Sequence, residues 1–283
     1  MTPAPRDYAY GDHPSQIVRL HLPEAGDALP VVLVIHGGFW RQRYGIEYAD
    51  PLCRSLVEQG VAAAAIEYRR VGRPFVGSNR GDVADPAGGG WPMTLTDVAR
   101  AVDSLDTLGQ LTARGRLDVA RIVALGHSAG GHLAAWLAHR EALRPATPGA
   151  VAPGDHHNPI LGAVCQAGVL DLVAAANGGV GHGAVVDLLG GEPGSVAQRY
   201  RHASPINYVG DGARITLVHG LDDDEVPVDQ SRRYAAAAVA AGDPVELYEV
   251  PDIGHYDMIE PGDPAWFRCR DLALEMLGGP GQT

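Results

Sequence analysis

One serine, one histidine and one acid in this chain stand where they could share a proton. The pentapeptide Gly126-His127-Ser128-Ala129-Gly130 brackets a serine with small residues. That pattern suits a sharp turn from strand to helix, with the hydroxyl carried out at the helix N-terminus. Taken alone, the pattern also describes an ordinary glycine-rich turn. Its context favours chemistry. ARIVAL at 120–125 precedes it as a buried strand would, and Gly131-His132-Leu133-Ala134-Ala135-Trp136 continues it with helical character. A serine so placed is a candidate nucleophile for acyl transfer.

Attack on an acyl carbon puts negative charge on the carbonyl oxygen, and preset N–H groups must meet it. His36-Gly37-Gly38-Phe39-Trp40 follows directly on the apolar run VVLVI at 31–35. Glycines there let the backbone approach closely. The expected donors are the N–H of Ala129, after the nucleophile, and those of Gly38 and Phe39. His36 is expected to hold this loop by hydrogen bonds, not to act as a base.

The base is expected at His255, in Gly254-His255-Tyr256, after the run VELYEV at 245–250. Imidazole titrates near neutrality, so it can take the serine proton and return it to a leaving group. The chain has 12 histidines, so most must do something else. His127 reads as part of the turn and His132 as helix packing. The acid is expected in His219-Gly220-Leu221-Asp222-Asp223-Asp224-Glu225-Val226-Pro227. Four acids in a row leave the choice open on chemistry alone, and the spacing HGxxDxxVP selects Asp223. Asp155, His156 and His157 could bind a metal, but no further ligand stands at useful spacing, which favours a solvated loop.

These residues need a rigid frame. Residues 16–22 alternate apolar and polar, as a half-buried edge strand does, while 31–35 is apolar throughout, as a strand covered on both faces would be. Similar runs lie at 61–66, 120–125, 160–165, 214–218 and 245–250, with helical patterns near 47–59, 95–109, 129–140, 228–241 and 264–277. Gly60 and Gly242 stand where helix C-terminal glycines belong. Alternating strands and helices imply an α/β architecture, a mostly parallel central sheet with helices on both faces. We expect one domain over residues 1–283. Residues 144–159 read as a long surface loop, and 171–210, weakly periodic, as a small cap.

Composition removes several alternatives. All 22 basic residues are Arg, so a Schiff-base lysine, a pyridoxal-phosphate site and a Walker A loop are excluded. The formal charge of −12 argues against nucleic acid and anionic membrane as partners. Cys53, Cys165 and Cys269 form no CxxC pair, and reduced thiols fit a cytoplasmic protein. The opening MTPAPRDYAYGDHPSQ lacks a signal-peptide core, and no run approaches the roughly 20 apolar residues of a membrane helix.

Together, HGGFW at 36–40, GHSAGGHLAAW at 126–136 and HGLDDDEVP at 219–227 resemble the α/β-hydrolase superfamily, and within it the kynurenine formamidase and carboxylesterase branch. The resemblance runs from about residue 16 to 277. It implies the α/β-hydrolase fold, a triad of Ser128, Asp223 and His255 in the chain order this fold uses, and a cofactor-free hydrolase of formamides or small esters. Hormone-sensitive-lipase relatives usually carry a third glycine where this chain has Phe39. Trp40, Tyr44 and Trp91 are expected to border the substrate pocket, with core packing as the alternative for each. Glu67 and Arg69 could contact a polar substrate or form a supporting ion pair. Three other activities fit the same motifs: cleavage of aminoacyl amides, biosynthetic acyl transfer or cyclisation, and a hydrolase fold kept only for ligand binding. Fold alone would not separate them.

Overall fold

The computed structural model describes residues 3–72 and 88–278. Its elements run β1 (Arg6–Ala9), β2 (Ile17–His21), β3 (Leu29–Ile35), α1 (Asp50–Val57), β4 (Ala62–Ile66), α2 (Met93–Asp103), α3 (Leu108–Ala113), β5 (Leu117–His127) and α4 (Ala129–Ala138). They continue with β6 (Ala163–Gln166), α5 (Leu172–Asn177), α6 (Ala184–Leu189), α7 (Ala197–Ala203), β7 (Ile215–Gly220), α8 (Asp229–Ala241), β8 (Val245–Val250) and α9 (Pro264–Met276).

The strands form one sheet in the order β1-β2-β4-β3-β5-β6-β7-β8. β1/β2 and β2/β4 pair antiparallel, and all other neighbours pair parallel. Side chains alternate across a strand, and both faces here are covered. Val31, Leu33 and Ile35 join one core cluster with Val98, Leu133, Trp136 and Tyr234, from α2, α4 and α8. Val32 and Val34 join the other with Leu56, Trp266 and Cys269, from α1 and α9. This is why the central strands read as unbroken apolar runs.

Local signals set several ends. The Asp263 side chain caps α9 by accepting from the Ala265 N–H at 2.7 Å, and Pro264 takes a first-turn position where no N–H is needed. Gly242 closes α8 with φ +86°, as its position in the sequence predicts.

Three expectations need correction. Residues 16–22 do not form the edge, because β1 pairs outside β2. The helix expected near 95–109 is two, α2 and α3, parted by a 3-10 turn at Ser104–Asp106. The segment at 160–165 becomes strand only from Ala163. Residues 171–210 do hold short helices, α5 to α7, between β6 and β7. The single-domain expectation over 1–283 also spans residues 1–2, 73–87 and 279–283, which lie outside the described residues.

Candidate active site

The residues singled out by chemistry lie beyond the C-terminal ends of β3, β5, β7 and β8, where open parallel sheets bind ligands. Ser128 links β5 to α4 with φ +55° and ψ −117°, a conformation that costs a non-glycine residue energy. Its neighbours explain how the turn persists. A Cβ on Gly126 would stand 2.1 Å from the Gly130 carbonyl oxygen, and one on Gly130 would stand 2.0 Å from that of Ile35. Only glycine fits at either place. The Ser128 N–H donates to the Gln166 carbonyl at 2.8 Å, tying the turn to β6. Ala129 to Leu137 are all buried, so α4 is held as a central helix with no free face. Ala129 opens that helix, and its N–H has no acceptor inside it.

His255 is 3% exposed. Its Nδ1 donates to Asp223 Oδ2 at 2.7 Å, so Nε2 is left to accept a proton. The Asp223 side chain is fully buried, and its Oδ1 accepts from the N–H groups of Glu225 at 3.0 Å and Val226 at 2.8 Å. Burial alone would raise this carboxyl. The hydrogen bonds from His219 and His255, the His255 charge and the Val226 amide outweigh it and hold Asp223 well below the usual carboxylate range. His219 is the residue that sequence reasoning missed. Its Nε2 donates to the Val226 carbonyl at 2.9 Å and lies 3.3 Å from Asp223 Oδ2, while Nδ1 meets Ser231 Oγ at 2.8 Å. Its signal was the i, i+4 spacing to Asp223 in HGxxDxxVP.

Ser128 and His255 line one cleft with Gly37, Gly38, Phe39, Tyr44, Tyr48, His127, Tyr256 and Ile259. Gly38, Phe39 and Trp40 take φ of +105°, +57° and +55° in succession. That bend brings the loop backbone to Ser128, and Phe39 adopts it without being glycine. His36 holds the loop as expected: Nδ1 meets the Gly37 carbonyl at 2.8 Å, Nε2 meets Glu67 Oε1 at 3.0 Å, and the ring stacks on Tyr68 at 4.7 Å. Burial works against a charged Glu67, but the His36 hydrogen bond, the His36 and Arg70 charges and the Tyr68 amide keep its carboxyl below the ordinary range. Arg69 pairs with buried Asp97 at 2.7 Å. Both residues therefore support the framework.

Of the expected pocket aromatics, Tyr44 lines the cleft and the two tryptophans do not. Trp40 is 1% exposed and packs edge-on against His132 in the core. Trp91 docks on the helical insertion, with its N–H on the Leu188 carbonyl at 2.7 Å and its ring 6.1 Å from His202. The aromatics in the cleft are Phe39, Tyr44, Tyr48 and Tyr256, and Tyr48 and Tyr256 are half exposed at its mouth. Burial and neighbouring Glu225 push the Tyr256 hydroxyl up to about 12. Among the described residues the lining includes no carboxylate and no guanidinium. His156 and His157 turn to separate carboxylates, Asp106 and Glu141. A larger cavity of about 400 Å³, between the end of α4 and the entries of β6 and β7, lies at the opposite end of the sheet from Ser128.

Comparison with known proteins agrees with this frame. The family model described as BD-FAE matches residues 18–237. Esterase LipQ of Mycobacterium tuberculosis is 30% identical over 243 residues, covering 81% of this chain and 51% of that protein. Isoprenylcysteine alpha-carbonyl methylesterase ICME of Arabidopsis thaliana is 26% identical over 262 residues, covering 89% of this chain and 56% of that protein. The chain thus spans about half the length of the curated relatives it matches. A truncated form of a carbohydrate esterase from gut microbiota superposes with a TM-score of 0.81 at 20% identity, covering 98% of this chain and 97% of that one. The esterase Est2 of the planctomycete Thermogutta terrifontis gives 0.71 at 22%, covering 97% and 92%. At such identities the likeness carries the fold, which is that of the α/β-hydrolases.

Proposed function

The chain belongs to the BD-FAE family, and on that premise we propose that it is a serine hydrolase of small carboxylic esters. The observation that carries the reading is the cleft itself. A serine held at φ +55° on the N-terminus of a buried helix shares it with an imidazole whose Nδ1 is tied to a buried carboxylate. The esterase names of the relatives support ester over amide substrates. The aromatic rings of Phe39, Tyr44, Tyr48 and Tyr256 that line the cleft suit uncharged ester groups.

The proposed mechanism builds on the His255–Asp223 hydrogen bond and the shared cleft. His255 Nε2 takes the Ser128 proton as Oγ attacks the carbonyl carbon. The N–H groups of Gly38, Phe39 and Ala129 receive the oxyanion, and losing one such donor typically costs about 3 kcal/mol of transition-state stabilisation. His255 then gives its proton to the departing alcohol, leaving an acyl group on Ser128. Water repeats the sequence and releases the acid. Asp223 fixes the imidazole tautomer and balances its charge while it is protonated.

In this reading α5 to α7 form a small cap on a single domain. The three cysteines are buried and unpaired, which fits the reducing cytoplasm. Among the described residues no helix is long and apolar enough to cross a membrane.

The test is hydrolysis of p-nitrophenyl acetate, p-nitrophenyl butyrate and N-formylkynurenine by wild type and Ser128→Ala. The variant should lose roughly four orders of magnitude or more in kcat. Ester turnover should exceed formamide turnover, and the reverse would move the enzyme to formamidase chemistry. A Ser128→Ala protein as active as wild type would sink the nucleophile assignment.

A further inference from the structure

His127 is used by nothing in the mechanism above, yet it touches three walls of the cleft. It ends β5 immediately before Ser128. Its Nε2 donates to the backbone carbonyl of His255 at 2.8 Å, and the two rings lie 4.4 Å apart. It also abuts the loop after β3. A Cβ on Gly37 would stand 2.8 Å from the His127 carbonyl oxygen and 3.0 Å from its Nδ1. One side chain therefore spans the nucleophile turn, the histidine loop and the loop expected to hold the oxyanion.

The consequence lies in how His255 is held. Its side chain is anchored through Nδ1 on Asp223. The turn before it is fixed by the Gly254 N–H on Asp257 Oδ2 at 2.7 Å. The carbonyl of His255 itself is fixed by His127. With both the ring and the backbone of one residue tied, Nε2 is aimed at a fixed point. Without the backbone tie, the ring can pivot about the Asp223 bond. A misplacement of about 1 Å at a reacting group can cost about 100-fold in rate.

Resting on the serine-hydrolase reading, we propose that His127 is a positioning residue, whose Nε2–H clamps the His255 backbone and so sets the aim of the base at Ser128. Its charge state suits the role. Burial, reinforced by neighbouring His255, pushes the His127 imidazole down to about 3, so it stays neutral while His255 becomes a cation during turnover. A second cation 4.4 Å from that ring would oppose the proton transfer.

The experiment compares wild type with His127→Phe and His127→Leu, which lack the donor, and His127→Gln, whose Nε2 can reach the same carbonyl. Each purified protein is checked by melting temperature and assayed on p-nitrophenyl butyrate. Phe and Leu should lower kcat about 10- to 100-fold while KM stays within about twofold, because the clamp acts on the base and not on substrate binding. Gln should recover most of the lost kcat. Loss of packing alone would lower the melting temperature of Gln as well and would not restore kcat. The proposal fails if either folded donorless variant keeps the wild-type kcat, or if Gln falls as far as they do. A wild type that cleaves no ester would remove the hydrolase reading and this role together.

Discussion

Asp223 keeps its charge in the interior because two histidines and two backbone amides converge on it. That convergence favours it over Asp222 and Asp224 as the acid of the proposed triad: both neighbours are exposed. Asp223→Asn should keep the shape but present an amide N–H or a weaker acceptor to His255 Nδ1. By analogy with the serine-protease triad, kcat on a p-nitrophenyl ester should fall by about 10⁴-fold with KM little changed. A loss of less than tenfold would show that the carboxylate is structural only. Trp40 and Tyr48 lie in the same stretch of chain, and composition does not say which faces the cleft. Three positive φ values in succession decide it by turning Trp40 into the core.

The elements that position the site are the turn between β5 and α4 and the strand ends around it. In Gly130→Ala, the added Cβ must displace the β3 backbone at Ile35 or push α4 outward. Overpacking of this kind typically costs about 1–3 kcal/mol. We therefore expect a lower melting temperature together with an activity loss exceeding tenfold, because Ser128 and Ala129 move with the helix. An unchanged melting temperature would mean that the turn is looser than these contacts require. The strands were legible because burial on both faces demands unbroken apolar runs. The edge was not: β1 is four residues long and mostly exposed, and it carries no apolar pattern to read.

Across the whole molecule, buried histidines make stability depend on pH. Burial pushes His127 down to about 3 and His132 to about 4. Unfolded, both would titrate near 6.5. Between these values the unfolded chain binds protons that the folded chain refuses, so stability falls as pH falls below about 6.5. Asp223, with its lowered carboxyl, adds a second loss as pH drops through and below the usual carboxylate range. The melting temperature should hold near pH 7.5 and decline as pH falls from about 6.5 to 4.5. His132→Gln, whose amide can still reach the Ala203 carbonyl that His132 now bonds at 2.9 Å, should flatten part of that slope. A pH-independent melting temperature would contradict the burial argument.

Motif and periodicity by themselves determined the fold class and singled out the serine, the histidine and the acid of the proposed triad. Each depends on local sequence: glycines that a tight turn demands, apolar runs that a covered sheet demands, and a spacing carried within one loop. Tertiary structure alone decided what meets across the chain. His127 on the carbonyl of His255 and Tyr256 at the cleft mouth follow from β5 and β8 delivering their C-terminal ends to one end of the sheet, and Trp91 on the helical insertion follows from the segment before α2 meeting α6 and α7. Contacts between residues 128 positions apart leave no periodic trace, because the sheet order that joins them is written in no single segment.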